Sequence, residues 1–410
     1  MSRGSFPLSI DQRDAVDSVG ERDIVLNCCT LAAVSYFSRV MISLFTVFGL
    51  SGAPASAKDM TYYFLRDQDY GTDAIFNPAS SVLNLGFDIT RSNSYPNSIQ
   101  EIDFQTGFTN TLWNLAHPGD TIKRYGGFGE FFAHEFFPYK DPTDPNYTQW
   151  MPNYTLHLLG QGMVSRKMTE WYHREGYSYP GLWAIGTMLT GALMNETVEN
   201  NSYKGGNTDP IADFYFFNPV GILLYSFDPV ARFFSSTVQV EFWPGQPALV
   251  LNELGIYNAA ENYSVRIDPG LIDGVRILLY GGTEGMAGLS VDMPGGDTWS
   301  LAAGYRKVEL KPVYRNGTRM YVPHETRGNV VGALFWEREG SLLASLKLDF
   351  GYEPAVRSNI YPGLIKLGGV QLGHFVWASE SAGLVTGISF GTLPIGFGLS
   401  DNYPLYVADH

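Results

Sequence analysis

The spacing of apolar and polar residues changes character near Phe234. Upstream, apolar residues recur at helical intervals in aromatic-rich blocks. Residues 104–116 and 129–137 read as short helices, separated by the breaker His117-Pro118-Gly119. The stretch 141–145, Asp-Pro-Thr-Asp-Pro, reads as a loop. The strongest helical pattern covers 154–174 and ends in His173, Arg174 and Gly176, a cationic last turn before a stop residue. A second helix is expected over 180–198, with Pro180 in its first turn. A third opens at Asp209-Pro210, with Asp209 as N-cap, and is kinked or divided at Asn218-Pro219. Residues 58–100 read as irregular, with one strand at 81–89.

Downstream the period becomes two. Val238, Val240 and Phe242 alternate with Gln239 and Glu241, and Val308 and Leu310 with Lys307, Glu309 and Lys311. The clearest case sets Leu342, Ala344, Leu346, Leu348 and Phe350 against Leu343, Ser345, Lys347, Asp349 and Gly351. Gly281-Gly282, Gly295-Gly296, Asn316-Gly317, Glu339-Gly340 and Gly368-Gly369 supply hairpin turns. The predicted fold class is α+β. A helical domain over 101–236 precedes an antiparallel β-barrel, or strongly curved sheet, of about ten to twelve strands over 237–410. Several strands have the nine to eleven residues that a tilted strand needs to cross an outer membrane.

Composition points the same way. Aromatic residues make up 14% of the 410 residues and charged residues only 17%. That mix suits a barrel whose outer surface meets lipid. A net charge of −14 argues against a nucleic-acid partner, since phosphate binding needs a basic surface. The run from Met41 to Leu50 has the length of a signal h-region, and Ala53-Pro-Ala55-Ser-Ala57 offers a cleavage site before Lys58. Residues 1–57 therefore read as leader and signal peptide. Cys28 and Cys29 both precede that site, so the mature chain would carry no disulfide or thiolate metal site. No stretch of the mature chain is a bilayer-spanning helix: 182–194 is too short, and 211–234 is interrupted by Asp213, Asn218, Pro219, Asp228, Pro229 and Arg232.

Asn153, His157, Gly160 and Arg166, followed by Glu196, Glu199, Asp213, Pro219 and Gly221, occur in an order that resembles an uncharacterised bacterial envelope family, the domain of unknown function 3943. The likeness covers 153–233. It departs from the family pattern where Leu158 follows His157 and Asn195 precedes Glu196. It implies an exported protein with no settled activity.

Three groups of residues could carry chemistry. Gly387-Ile-Ser389-Phe-Gly391 matches the nucleophile-elbow pattern, although Thr392-Leu-Pro cannot open the helix such an elbow requires. In a hairpin about Glu380-Ser381, His374 would lie opposite Gly387 and diagonal to Ser389, making a Ser/His pair for lipid-ester hydrolysis. Glu130 and His134 share a helical face, with Glu135 beside them, but no HExxH is present and no metal site is expected. His157, Arg166, Glu170, His173, Glu196, Glu199 and Asp213 are the polar residues of the most apolar helices. They form either an internal network that fixes packing or a pocket for a lipid headgroup or acid/base work.

The expected function is that of an exported bacterial envelope protein, in or against the outer membrane, with helices at the periplasmic mouth of the barrel. Its role would be lipid-binding, partner-binding or structural. Membrane lipid and an envelope protein are the expected partners, and no cofactor is expected. A lipid hydrolase and a small pore are the alternatives.

Overall fold

The computed structural model describes residues 60–92, 97–139, 149–201, 207–309, 326–351, 355–379, 383–391 and 393–401. The expected signal segment, the loop 141–145 and the Asn316-Gly317 and Glu380-Ser381 turns lie outside these residues.

The helices come first. After α1 (Gly71–Ala74), α2 (Pro78–Phe87) occupies the stretch that reads as a strand in the sequence. Local chemistry explains the difference: the Asn77 side chain accepts from Ser80 N at 2.9 Å, and Pro78 stands at the first helical position. The expected irregularity of 58–100 is corrected by these two helices. Then follow α3 (Phe104–Ala116), α4 (Pro118–Tyr125) and α5 (Phe128–Glu135). A π-helical stretch, Asn153–Gly160, runs into α6 (Gln161–Arg174). Next come α7 (Pro180–Glu199) and the short α8 (Asp209–Ala212). Thr208, not Asp209, takes the N-cap position of α8. A second π stretch, Asp213–Phe217, joins α8 to α9 (Asn218–Ser226). Pro219 has no N–H to donate, and the widened turn before it keeps the path helical where a break is expected. Asp228–Arg232 (α10) and a last π stretch, Phe233–Thr237, lead to the sheet.

Two helix crossings depend on missing side chains. A Cβ on Gly221 would sit 2.4 Å from Leu158 O, and one on Gly160 would lie 2.4 Å from the Tyr263 ring. Any larger residue would push α9 from the Asn153–Gly160 turn, or that turn from the sheet.

Among the described residues, thirteen strands form one mixed sheet. They are β1 (Val240–Phe242), β2 (Ala248–Val250), β3 (Gly255–Tyr257), β4 (Tyr263–Ile267), β5 (Val275–Gly281), β6 (Glu284–Asp292) and β7 (Asp297–Glu309). After these come β8 (Thr326–Arg338), β9 (Ser341–Phe350), β10 (Ala355–Leu367), β11 (Val370–Ser379), β12 (Gly383–Phe390) and β13 (Gly396–Ser400). From β4 to β13 each strand pairs antiparallel with the next. The β13–β2 pair is parallel, so the sheet is not purely antiparallel as expected. The count exceeds ten to twelve because two long runs are interrupted. Residues 240–250 face 255–265 in one constant register, from Val240↔Val265 to Val250↔Gly255. Trp243 N to Asn262 O and Gly245 N to Ala260 O bridge the interruption. The run 240–250 thus has 255–265 on one edge and β13 on the other.

Where β5 does not reach, the helical segment completes the hydrogen bonding of 256–261. Ile256 N donates to Asn97 O, Ala260 N to Asn84 Oδ1 and Glu261 N to Asp88 Oδ1. The helices then cover one side of the sheet. Phe242 and Tyr263 pack with Phe76, Met163, Val164, Met168 and Tyr225 in one apolar core. Other parts of the same segment reach an end of the sheet: Ser341 Oγ, beside the β8–β9 turn, donates to Tyr70 O at 2.9 Å, and Ile75 packs among Trp243, Leu278 and Phe335.

The two faces of the strands differ sharply. In β9, Ser345, Lys347 and Asp349 are buried, whereas Leu346, Leu348 and Phe350 are exposed. In β7, Thr298, Ser300 and Arg306 are buried, whereas Trp299, Leu301 and Tyr305 are exposed. Ile277, Leu279, Leu289, Val291, Val330, Leu334, Val356, Leu384, Ile388, Phe397 and Leu399 extend the exposed apolar face. This inverts the ordinary pattern, in which apolar residues fill the interior.

Candidate functional site

A cluster of acidic side chains lies buried where α5, α7, α8 and the Asp213–Phe217 stretch meet. Carboxylate oxygens of Glu196, Asp209 and Asp213 all lie within 4.8 Å of one another. Glu196 is carried by the last turn of α7, while Asp209 and Asp213 stand one helical turn apart. Gln149 Nε2 donates to both Asp209 oxygens, at 3.1 and 3.0 Å. Asn200 Nδ2 donates to Glu196 Oε2 at 3.2 Å. His157 Nε2 lies 3.3 Å from Asp213 Oδ2. Asp213 Oδ1 is buried and has no hydrogen-bond partner.

Glu135 borders the cluster. It receives Thr208 Oγ1 at 2.7 Å and Asn153 Nδ2 at 3.0 Å, and its Oε1 lies 3.0 Å from His134 Nδ1. Burial would raise its pKa, but these contacts, led by His134, hold it below the usual carboxylate range. Glu196 and Asp213 behave oppositely. Burial pushes Glu196 well up, reinforced by Glu199 and Asp209, and burial pushes Asp213 well up, reinforced by Asp209 and Glu135. Burial also lowers His157 to about 4, so this imidazole is neutral at pH 7 and does not offset the surrounding charge.

The expected polar group of the helices therefore splits in two. His157, Glu196, Glu199 and Asp213 come together; Arg166, Glu170 and His173 do not join them. His157, in the π-helical stretch, faces Asp213, whereas Arg166, in α6, faces Glu170 and Asp228. On the far side, Glu170 accepts from the backbone N–H groups of Tyr63, Phe64 and Leu65 at 2.8–2.9 Å and from Arg166 Nε at 2.9 Å. Arg166 Nη2 also donates to Thr61 O at 3.0 Å and lies 2.9 Å from Asp228 Oδ1. His173 Nδ1 lies 2.9 Å from Tyr62 OH. This trio fastens residues 61–65 onto α6.

Glu135 and Asp209 are cluster members that sequence reasoning set aside, the first beside His134 and the second as a cap. Their one local signal is that each lies in an apolar stretch with no cationic residue one helical turn away.

A second polar group fills the buried face of the sheet. Glu284 is fully buried among Lys347 at 2.8 Å, Arg91 at 3.5 Å and Arg357. Arg306 Nε lies 2.8 Å from Asp349 Oδ2. Arg266 pairs with Glu337 and lies 3.5 Å from Glu241, which also binds Arg66. Trp243, Tyr280, Phe335 and Tyr361 pack on the same face, leaving a cavity of about 30 Å³ beside Arg91 and Arg357. A separate charged recess of about 540 Å³ is lined by Arg66, Glu241, Arg266, Arg276, Asp292 and Glu337.

The Ser/His pair is not assembled. His374 pairs with Ile388, and Ser389 with Gly373, so the two side chains lie on opposite faces of the sheet. The register is one residue away from the expected His374–Gly387 pairing, and a one-residue slip reverses every side chain. Ser389 Oγ donates to Gln246 Oε1 on the buried face, and His374 Nε2 contacts Thr386 Oγ1 at 3.1 Å on the other. Among the described residues, no general base lies next to Ser389.

No protein-family model, no curated protein and no solved structure matches this chain.

Proposed function

We propose that the sheet closes into a barrel through the 240–250 run, and that the barrel sits in the bacterial outer membrane as an envelope protein with a binding or structural role. The observation that carries this reading is the inverted pattern of the strands: an exposed apolar face over a buried, ion-paired face. Water disfavours such a surface by roughly 25 cal/mol per Å² of apolar area, whereas acyl chains accept it. Aromatic residues bracket the apolar band. Trp299 and Trp336 stand near one rim and Tyr305 and Phe350 near the other. Six residues separate Trp299 from Tyr305 along β7, about 20 Å of strand. In a strand tilted by about 40° the two aromatic rims would stand about 15 Å apart along the bilayer normal, within an apolar belt of about 25 Å.

The helices share this surface. Val220, Leu223, Leu224 and Phe227 of α9 and its end are exposed, as are Leu182 and Trp183 of α7. No described helix is long and apolar enough to cross a membrane. These faces suit helices lying at the membrane interface beside the barrel.

Conduction is disfavoured, because paired charges and the Trp243–Tyr280–Phe335 stack occupy the buried face. Ester hydrolysis is disfavoured because Ser389 and His374 are apart. Lipid or an envelope protein remains the partner of choice for the exposed apolar faces.

The test is fractionation of the expressed full chain, followed by gel mobility with and without boiling. Recovery with the outer membrane and a heat-dependent shift are expected. A soluble protein without a shift would overturn the reading.

A further inference from the structure

We infer that the Glu196–Asp209–Asp213 cluster is a binding site for one hard divalent cation of the Mg²⁺, Mn²⁺ or Ca²⁺ class. Three carboxylates whose oxygens converge within 4.8 Å offer the all-oxygen donor set that such cations prefer. Each carboxylate is held from behind. Gln149 fixes Asp209, Asn200 fixes Glu196, and His157 stands against Asp213 Oδ2. This is the arrangement by which outer partners orient the ligands of a metal site.

Two further observations point to a missing positive partner. Asp213 is 2% exposed, yet its Oδ1 has no hydrogen-bond partner, while Oδ2 is engaged by His157. At the border, Asn153 is buried with an amide oxygen that also lacks a partner. Native interiors seldom leave such groups unsatisfied. Among the described residues, no Lys or Arg pairs with Glu196 or Asp213. The carboxylates of Glu196, Asp209 and Asp213 face one another across this buried site. A divalent cation would satisfy the free oxygen and offset the repulsion together.

The inference is independent of the membrane reading. It is tested on the full chain, purified in detergent and stripped with EDTA, by titrating Mn²⁺ and recording free Mn²⁺ by electron paramagnetic resonance. One Mn²⁺ per chain is expected, displaced by Mg²⁺ or Ca²⁺, with a rise in unfolding temperature. Asp213→Asn and Glu196→Gln keep side-chain volume and should each weaken Mn²⁺ binding at least tenfold. Circular dichroism establishes that the variants are folded. If the folded wild-type chain binds no Mn²⁺ at millimolar concentration, the inference fails and protons must neutralise the cluster. It fails equally if wild type and the double variant bind alike.

Discussion

The indole rings of Trp299 and Trp336 stack in parallel across the β7–β8 ladder, 5.4 Å apart and 3° from coplanar, on the exposed face of the sheet. Trp336 Nε1 donates to Asp297 Oδ2 at 3.1 Å, so one edge of the stack is polar and the rest apolar. In the proposed membrane barrel, this amphipathic pair would lie at the membrane–water interface. In vesicles, tryptophan fluorescence should be quenched most by lipids brominated near the headgroup and less by lipids brominated near the chain end. Absence of quenching at every depth would remove this rim from the bilayer.

Leu301 lies next along β7 and is 68% exposed. On a water-facing surface, Leu301→Arg would cost little. On a lipid-facing surface it should destabilise the folded state by about 2–4 kcal/mol, depending on depth. Urea titration of wild type and variant in vesicles separates the two cases.

Glu284 is the hub of the buried cation cluster. Glu284→Ala would leave Arg91, Lys347 and Arg357 without their central anion, and a loss of about 3–5 kcal/mol is expected. Adding Lys347→Met should recover part of the loss by removing one stranded charge. If the double variant is no more stable than the single, the Lys347 charge is not desolvated.

Glu170 ties three successive N–H groups and Arg166 together. Glu170→Ala should free residues 61–65 and leave a buried guanidinium, at a cost of about 3–5 kcal/mol. Limited proteolysis should then cut near 61–65 before any other site. An unchanged digestion pattern would assign the hold on this segment to other contacts.

His157 gives a pH signature with a defined sign. Its folded-state pKa lies at about 4, below the unfolded value near 6.5. Between these values the unfolded chain carries the extra proton, so this group's contribution to stability rises as pH rises from about 4 to 6.5, by up to about 3 kcal/mol. The raised carboxyls of Glu196 and Asp213 act oppositely, and the stability they remove grows as pH climbs above about 4. His157→Gln removes only the first effect. With EDTA present, its unfolding temperature should gain less than wild type over this window. Parallel profiles would mean that the imidazole is solvated.

Much of the architecture was legible locally. Alternation in 342–351 separates Leu346, Leu348 and Phe350 from Ser345, Lys347 and Asp349, because strand geometry sends neighbours to opposite faces. The helices opened by Pro180 and closed after Arg174 could be read from caps and stops alone. Alternation is symmetric, however, and does not say which face is buried. Only the tertiary structure set the charged residues on the buried face and the leucines on the exposed one. The same limit explains the failed Ser389–His374 pair, since a turn type cannot exclude a slip of one residue. The acidic cluster was half legible. Glu196, Glu199 and Asp213 stood out as charges in apolar helices, but Glu135 reaches them from a distant point of the chain, and Asp209, one turn before Asp213, read only as a cap. Helical period orders residues within one element, whereas convergence between elements is set by packing. Arg91 and Glu284, 193 positions apart, meet for that reason alone.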